Sequence, residues 1–170
     1  MQTLGLKCHA QLRFKEGSMK LEYFSISEFN IANRDWFTRM SPTWLAKIDL
    51  LRWWWGKPIA ISPVKGALGR DGDGTSQHYW EQFDEVRAGD VLPSGIVTQS
   101  DARDFFELAE EAGFTGIGVY PDWAPSPGFH LDVREDCEMG SPATWGGVKN
   151  EHDKQVYVSF EEAVKKLPEN

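Results

Sequence analysis

Apolar residues recur along this chain at two spacings, and each spacing predicts a different element. From Ser41-Pro42 onward, Trp44, Leu45, Ile48 and Leu51 fall three and four residues apart until Gly56, the period of a helix with one buried face. A hydroxyl at the N-cap, proline at the first helical position and a closing glycine supply its ends. Phe105, Leu108, Ala109 and Ala112 repeat the period. They predict a helix over Ser100 to Ala112, with Ser100 as cap, Asp101 and Asp104 at the positive end of the dipole, and Gly113 as the stop. Ser27-Glu28 marks a helix start after Tyr23, and Ser159-x-x-Glu162 is a capping box for a short terminal helix.

The second spacing is the period of two that belongs to strands. It appears in Val86–Leu92, Phe129–Arg134 and Gln155–Phe160, and Lys57–Ser62, Gly116–Tyr120 and Thr144–Val148 read as further short strands. Gln2 to Phe14 alternates more loosely and reads as an edge strand or arm, so residues 1–20 are set apart from a domain over 21–170. Between these elements lie a glycine-rich loop from Pro63 to Thr75, an irregular polar and aromatic stretch from Gln77 to Asp84, and a stiff loop from Pro121 to Gly128. Trp53, Trp54 and Trp55 cannot all face one way on a helix. Two are expected in the core and one at its rim, in preference to a carbohydrate-stacking platform.

A chain of 170 residues with 41% hydrophobic residues can bury one core without help from metal or disulfides. Its formal charge of −8 and lack of a basic run exclude a phosphate-neutralising nucleic-acid binder. No window approaches the ~20 apolar residues needed to cross a bilayer, so membrane insertion is not expected. Lys7, His9, Gln11 and Arg13 interrupt the first residues, which therefore lack the apolar core of a signal peptide. Cys8 and Cys137 are expected as thiols rather than as a disulfide.

The candidate chemistry lies in two stretches. Ser76-Gln77-His78 runs on to Ala88-Gly89-Asp90, and Gly128 to Arg134 carries His130 and Asp132. A catalytic zinc takes three nitrogen or carboxylate ligands and keeps a fourth position for water, a set that His78, Asp90 and His130 can fill. Alternation puts His130, Asp132 and Arg134 on one face of a strand and Phe129, Leu131 and Val133 on the other. On its own strand Asp90 falls among Val86, Ala88 and Leu92, where an aspartate is costly unless paired or metal-bound. His152 sits in a polar turn and His9 has no supporting neighbours; neither reads as a ligand.

These stretches resemble the zinc D-Ala-D-Ala carboxypeptidases and the L-Ala-D-Glu peptidases of phage endolysins, which carry Ser-x-His, then Gly-x-Ala-x-Asp, then a late His-x-Asp or His-x-Glu strand. Ser76-Gln77-His78, Val86-Arg87-Ala88-Gly89-Asp90 and His130-Leu131-Asp132 match in that order, with Val86 in place of the glycine. Tyr23 to Phe29 and Gly116 to Pro121 also look like the phage-type members, so the likeness runs from about Leu21 to Arg134.

The resemblance implies an α+β domain with a central antiparallel β-sheet flanked by helices. It also implies Zn2+ on His78, Asp90 and His130, and a peptidoglycan peptide as partner. Hydrolysis would fall on a D-amino-acid-containing bond at the bacterial cell wall, reached through a pore made by a second phage protein. Three departures accompany it. Glu85 occupies the usual spacing after His78 and rivals Asp90 as ligand. Pro127 stands where the general base is expected, leaving Asp132, Asp122 or Glu85 for that role, or an inactive protein. The substrate-binding turn is replaced by Ser62 to Arg70, so Arg70 stands in for its arginine, beside Ser76 as a second substrate contact. In the mechanism so implied, Asp132 or Asp122 accepts the water proton, or Asp132 instead orients His130. Two other classes remain: a cell-wall-binding or virion module that keeps the peptidase fold, and a non-haem iron oxygenase using His130-x-Asp132 with a distant histidine.

Overall fold

The computed structural model describes residues 20–72 and 74–169. The arm or edge strand expected over Gln2 to Phe14, and any pairing of Cys8, lie outside the described residues. After a 3-10 turn at Ile26–Phe29, a small hairpin pairs β1 (Asn30–Ile31) with β2 (Arg34–Asp35). Helix α1 (Pro42–Trp55) follows, N-capped by Ser41 and closed by Gly56 at φ 65°, a left-handed position that glycine enters freely. Next come β3 (Ile59–Ile61), the one-turn helix α2 (Trp80–Phe83), β4 (Ala88–Pro93), α3 (Gln99–Glu111), β5 (Gly116–Tyr120), β6 (Gly128–Asp132), β7 (Ala143–Lys149), β8 (Gln155–Val158) and α4 (Phe160–Val164).

Three of these differ from the sequence expectation for local reasons. The first turn starts at Ile26 with Ser25, not Ser27, as its cap, because the Glu28 carboxylate takes the Ser25 amide at 2.8 Å. Helix α3 is capped two residues early, by Thr98 and not Ser100: Thr98 Oγ1 accepts the Asp101 amide while the Asp101 carboxylate takes the Thr98 amide. That reciprocal box satisfies two backbone donors, which a cap at Ser100 would leave open. The stretch expected to be irregular contains α2, which ends at Asp84 in a left-handed conformation.

The principal sheet has the order β3-β4-β6-β5-β7-β8. It is α+β in class and mostly antiparallel, but β5 and β7 run parallel. The chain leaves β6 at the end where β5 begins and crosses beneath β5 to start β7 in the same direction as β5. Helices α1, α3 and α4 pack on one face. Trp44 of α1 lies on Gly89, Phe105 of α3 meets Phe129 with ring centroids 4.6 Å apart, and Ala163 of α4 lies on Gly146. Trp44 also donates to the Leu131 carbonyl at 2.8 Å, giving its buried indole N–H the partner it requires. In the tryptophan triplet, Trp54 and Trp55 pack on the core while Trp53 is exposed and stacks on Tyr23. The opposite face carries the polar residues.

Candidate metal centre

Register builds the site. Asp90 of β4 pairs with His130 of β6, His130 with Gly118 of β5, and Gly118 with Trp145 of β7, forming one row across four strands on the helix-free face. The adjacent row aligns Ala88, Asp132, Gly116 and Ala143. A one-residue slip in any strand would send its member of the row to the other face. The two glycines of β5 make room: a Cβ at Gly118 would sit 2.5 Å from the Trp145 indole, and one at Gly116 would sit 2.2 Å from the Asp132 carboxylate.

His78 arrives from outside the sheet. The loop after β3 docks on β4, where Asp90 N–H donates to the Ala67 carbonyl at 2.7 Å and Ser62 N–H to the Asp90 carbonyl at 2.9 Å. The chain then returns beside this loop, so that Arg70 N–H donates to the His78 carbonyl at 2.8 Å and Arg87 N–H to the Gln77 carbonyl at 3.0 Å. His78 is thereby clamped from both sides and is 2% exposed, so its ring cannot turn to solvent.

Three ligand-type atoms meet at the floor of a cleft. His78 Nε2 lies 3.1 Å from His130 Nδ1, His130 Nδ1 lies 3.0 Å from Asp90 Oδ1, and His78 Nε2 lies 3.4 Å from Asp90 Oδ1. The remaining ring nitrogens are committed elsewhere. His78 Nδ1 faces the Leu68 carbonyl, and His130 Nε2 lies 2.9 Å from Asp132 Oδ2. A carbonyl only accepts, and a carboxylate held by arginine does the same, so each of those nitrogens carries the proton. Neutral rings then turn two lone pairs and a carboxylate oxygen on one another at contact distance, an arrangement that requires a cation or an added proton between them. With metal-to-ligand bonds of about 2.0–2.2 Å, neighbouring ligand atoms of a tetrahedral site stand about 3.4 Å apart. The observed triangle is of that size. His78, Asp90 and His130 could hold a metal ion.

Charge follows the same pattern. Burial opposes the imidazolium of His130, but Asp132 and Asp90 on either side outweigh it and push its pKa up to about 9. Burial drives His78 the other way and keeps it neutral, against the pull of Asp90. Burial also resists ionisation of Asp90 and Asp132. The histidines hold the first, and Arg134 with His130 the second, well below the usual carboxylate range.

The remaining sequence candidates separate. Asp132 has no exposed surface and does not open to the cleft: Arg134 Nε and Nη2 donate to its two oxygens at 2.9 and 2.5 Å, and the Arg134 amide and His130 are its further partners. Asp122 accepts the Lys149 amide at 2.8 Å, tying its loop to the end of β7, and the cleft is lined instead by its neighbours Trp123 and Ala124. Glu85 pairs with Arg87 at 2.9 Å and stands apart from the three-ligand group. Arg70 and Ser76 both line the cleft, which encloses about 410 Å³. His152 is exposed beside Glu151 in the turn between β7 and β8. Among the described residues it joins no cluster with Asp132.

Trp123 lines the cleft mouth, where its loop predicts it, but sequence reasoning missed Tyr120 and Trp145 in the far wall. Tyr120 stacks on Trp123 with centroids 4.1 Å apart, its hydroxyl accepts the Trp145 indole N–H at 2.9 Å, and Trp145 lies 5.2 Å from the His130 ring. Burial pushes the Tyr120 phenol well above its ordinary pKa. A signal was present in Gly116-x-Gly118, since alternate glycines within a strand mark a face where something large approaches. Comparison with known protein families, with characterised proteins and with solved structures found no match for this chain.

Proposed function

We propose that this protein is a zinc-dependent peptidase that hydrolyses a D-amino-acid-containing amide bond in peptidoglycan stem peptides, in the manner of the endolysin peptidases that its motifs resemble. The observation that carries the reading is the convergence of His78 Nε2, His130 Nδ1 and Asp90 Oδ1 within 3.4 Å of one another at the floor of an open cleft. Two imidazoles and one carboxylate are a recurrent ligand set of hydrolytic zinc. When bound, zinc supplies a water of lowered pKa and polarises the scissile carbonyl.

The chain's own residues do the rest. Asp132, locked by Arg134, holds the His130 ring so that Nδ1 points into the cleft. Arg70 offers a planar guanidinium to a substrate carboxylate. Tyr120 is kept neutral by burial, its oxygen accepts from Trp145, and its O–H, which faces Tyr157, is a donor at the cleft wall for a carbonyl oxygen that gains charge. Trp123 and Trp145 give the cleft its apolar wall.

One observation favours a second reading, a wall-binding module without turnover. Among the described residues, Asp90 is the single carboxylate that lines the cleft, so no second one is at hand as general base. Mass spectrometry of peptides released from purified peptidoglycan, with zinc-loaded and chelator-treated protein, separates the two. Products that vanish with the chelator establish the peptidase and name the bond. Retention on walls by zinc-loaded protein with no released peptide overturns it in favour of binding.

A further inference from the structure

A second cavity, also about 410 Å³, lies beside the cleft and shares Arg70 with it. Its walls come from the β1–β2 hairpin, through Ala32, Arg34 and Trp36, and from the loop after β3, through Lys65 and Arg70, with Tyr79 closing one end. Three cations therefore border one groove on a chain whose formal charge is −8. The groove is built rather than incidental. Trp36 is sandwiched between the Gly69 backbone, where a Cβ would sit 2.0 Å from its ring, and the Arg34 guanidinium 4.0 Å over its other face. Arg34 is fixed further by both oxygens of Asp71 at 2.7 Å, and Asp71 in turn accepts from Trp80 Nε1 at 3.1 Å.

Asp71 offsets Arg34 and leaves two cations over. Among the described residues neither Lys65 nor Arg70 forms an ion pair, and Arg70 spends only its Nε, on the Gly66 carbonyl at 3.1 Å. Its side chain lines both cavities. Cations held at a concave rim attract anions more strongly than the same charges on a convex surface, because the low-dielectric walls focus their field.

The geometry points to the two cavities being one binding track, in which the Lys65 and Arg70 groove takes a peptide arm bearing a carboxylate beyond the segment seated over His78, Asp90 and His130. This rests on the peptidase reading for the occupant of the first cavity. Arg70 spans the junction and Lys65 reads the carboxylate of the arm.

The test uses two synthetic peptides identical except for a carboxylate or a carboxamide on the distal arm, with the zinc-loaded full chain and its Lys65→Glu variant. Lys65 is exposed and touches no metal ligand, so the variant folds as the parent does. The parent is expected to favour the carboxylate peptide about tenfold in kcat/KM, and Lys65→Glu to abolish that preference while leaving the carboxamide peptide within about twofold. A preference that survives in Lys65→Glu, or that is absent from the parent, overturns the inference and leaves the peptidase reading intact. If the parent cleaves neither peptide, the peptidase reading fails. The same pair measured by calorimetric binding, parent against Lys65→Glu, then decides the groove: a carboxylate-dependent affinity lost in the variant supports it, and equal affinities overturn it.

Discussion

Zinc binding should release a proton from His130, and the size of that release follows from the geometry. In the metal-free protein the ring lies between two carboxylates, 3.0 Å from Asp90 and 2.9 Å from Asp132, and its pKa is pushed up to about 9. At pH 7 the ring is then protonated. The proton on Nδ1 occupies the position a metal must take, whereas His78, driven down by burial, has none to give. One proton should leave per zinc at pH 7, and affinity should rise about tenfold, or about 1.4 kcal/mol, for each pH unit up to 9.

The sign for the fold itself is opposite. A histidine whose pKa is raised above the unfolded value of about 6.5 stabilises the metal-free protein fully below pH 6.5, by about 3 kcal/mol, and loses that contribution as pH rises through 9. Titration calorimetry of chelator-stripped protein with zinc, in two buffers of different ionisation enthalpy, counts the protons directly. No proton release at pH 7, together with an affinity that does not change between pH 7 and 8, would refute the lone-pair argument on which the metal centre rests.

Two further outcomes probe the support around the centre. Replacing Asp132 with Asn should weaken zinc about 10- to 100-fold without changing its stoichiometry, because the ring loses the carboxylate that holds it, whereas Asp122→Asn should leave zinc affinity unchanged; competition against a chelator reads both. Gly118→Ala pushes a methyl to 2.5 Å from the Trp145 indole in the middle of the sheet. It should cost about 1–3 kcal/mol, read as a lower urea midpoint of the metal-free protein, and an unchanged midpoint would show that the row of β5 glycines is not needed for close approach.

Much of the scaffold was legible from local chemistry. The helix at Pro42–Trp55 carries its own start, stripe and stop, and Gly116–Tyr120 and the terminal capping box follow from period and cap alone. Thr98 was passed over for Ser100 because both are hydroxyls near the boundary. What selects Thr98 is the distance to Asp101, whose carboxylate closes the box three residues on. His130 and Asp132 share a face by alternation, so their neighbourhood was readable; which of the two turns toward the cleft was not. That choice belongs to Arg134, which saturates Asp132 and converts it from a candidate base into a support for the ring.

The amino-acid order by itself determined the elements, the faces of its strands and the presence of two histidines and an aspartate fit to meet, because periodicity, caps and side-chain chemistry are properties of neighbours in sequence. Tertiary structure alone decided that they meet. His78 and His130 are 52 residues apart, and their contact depends on a glycine-rich loop folding back onto β4 and on a strand order that no local period encodes. The same holds for the parallel pairing of β5 and β7, which brings Trp145 over His130 and builds the wall that sequence reading did not see. Long-range register places side chains from four strands in one row, and it is fixed only when the whole sheet closes over its helices.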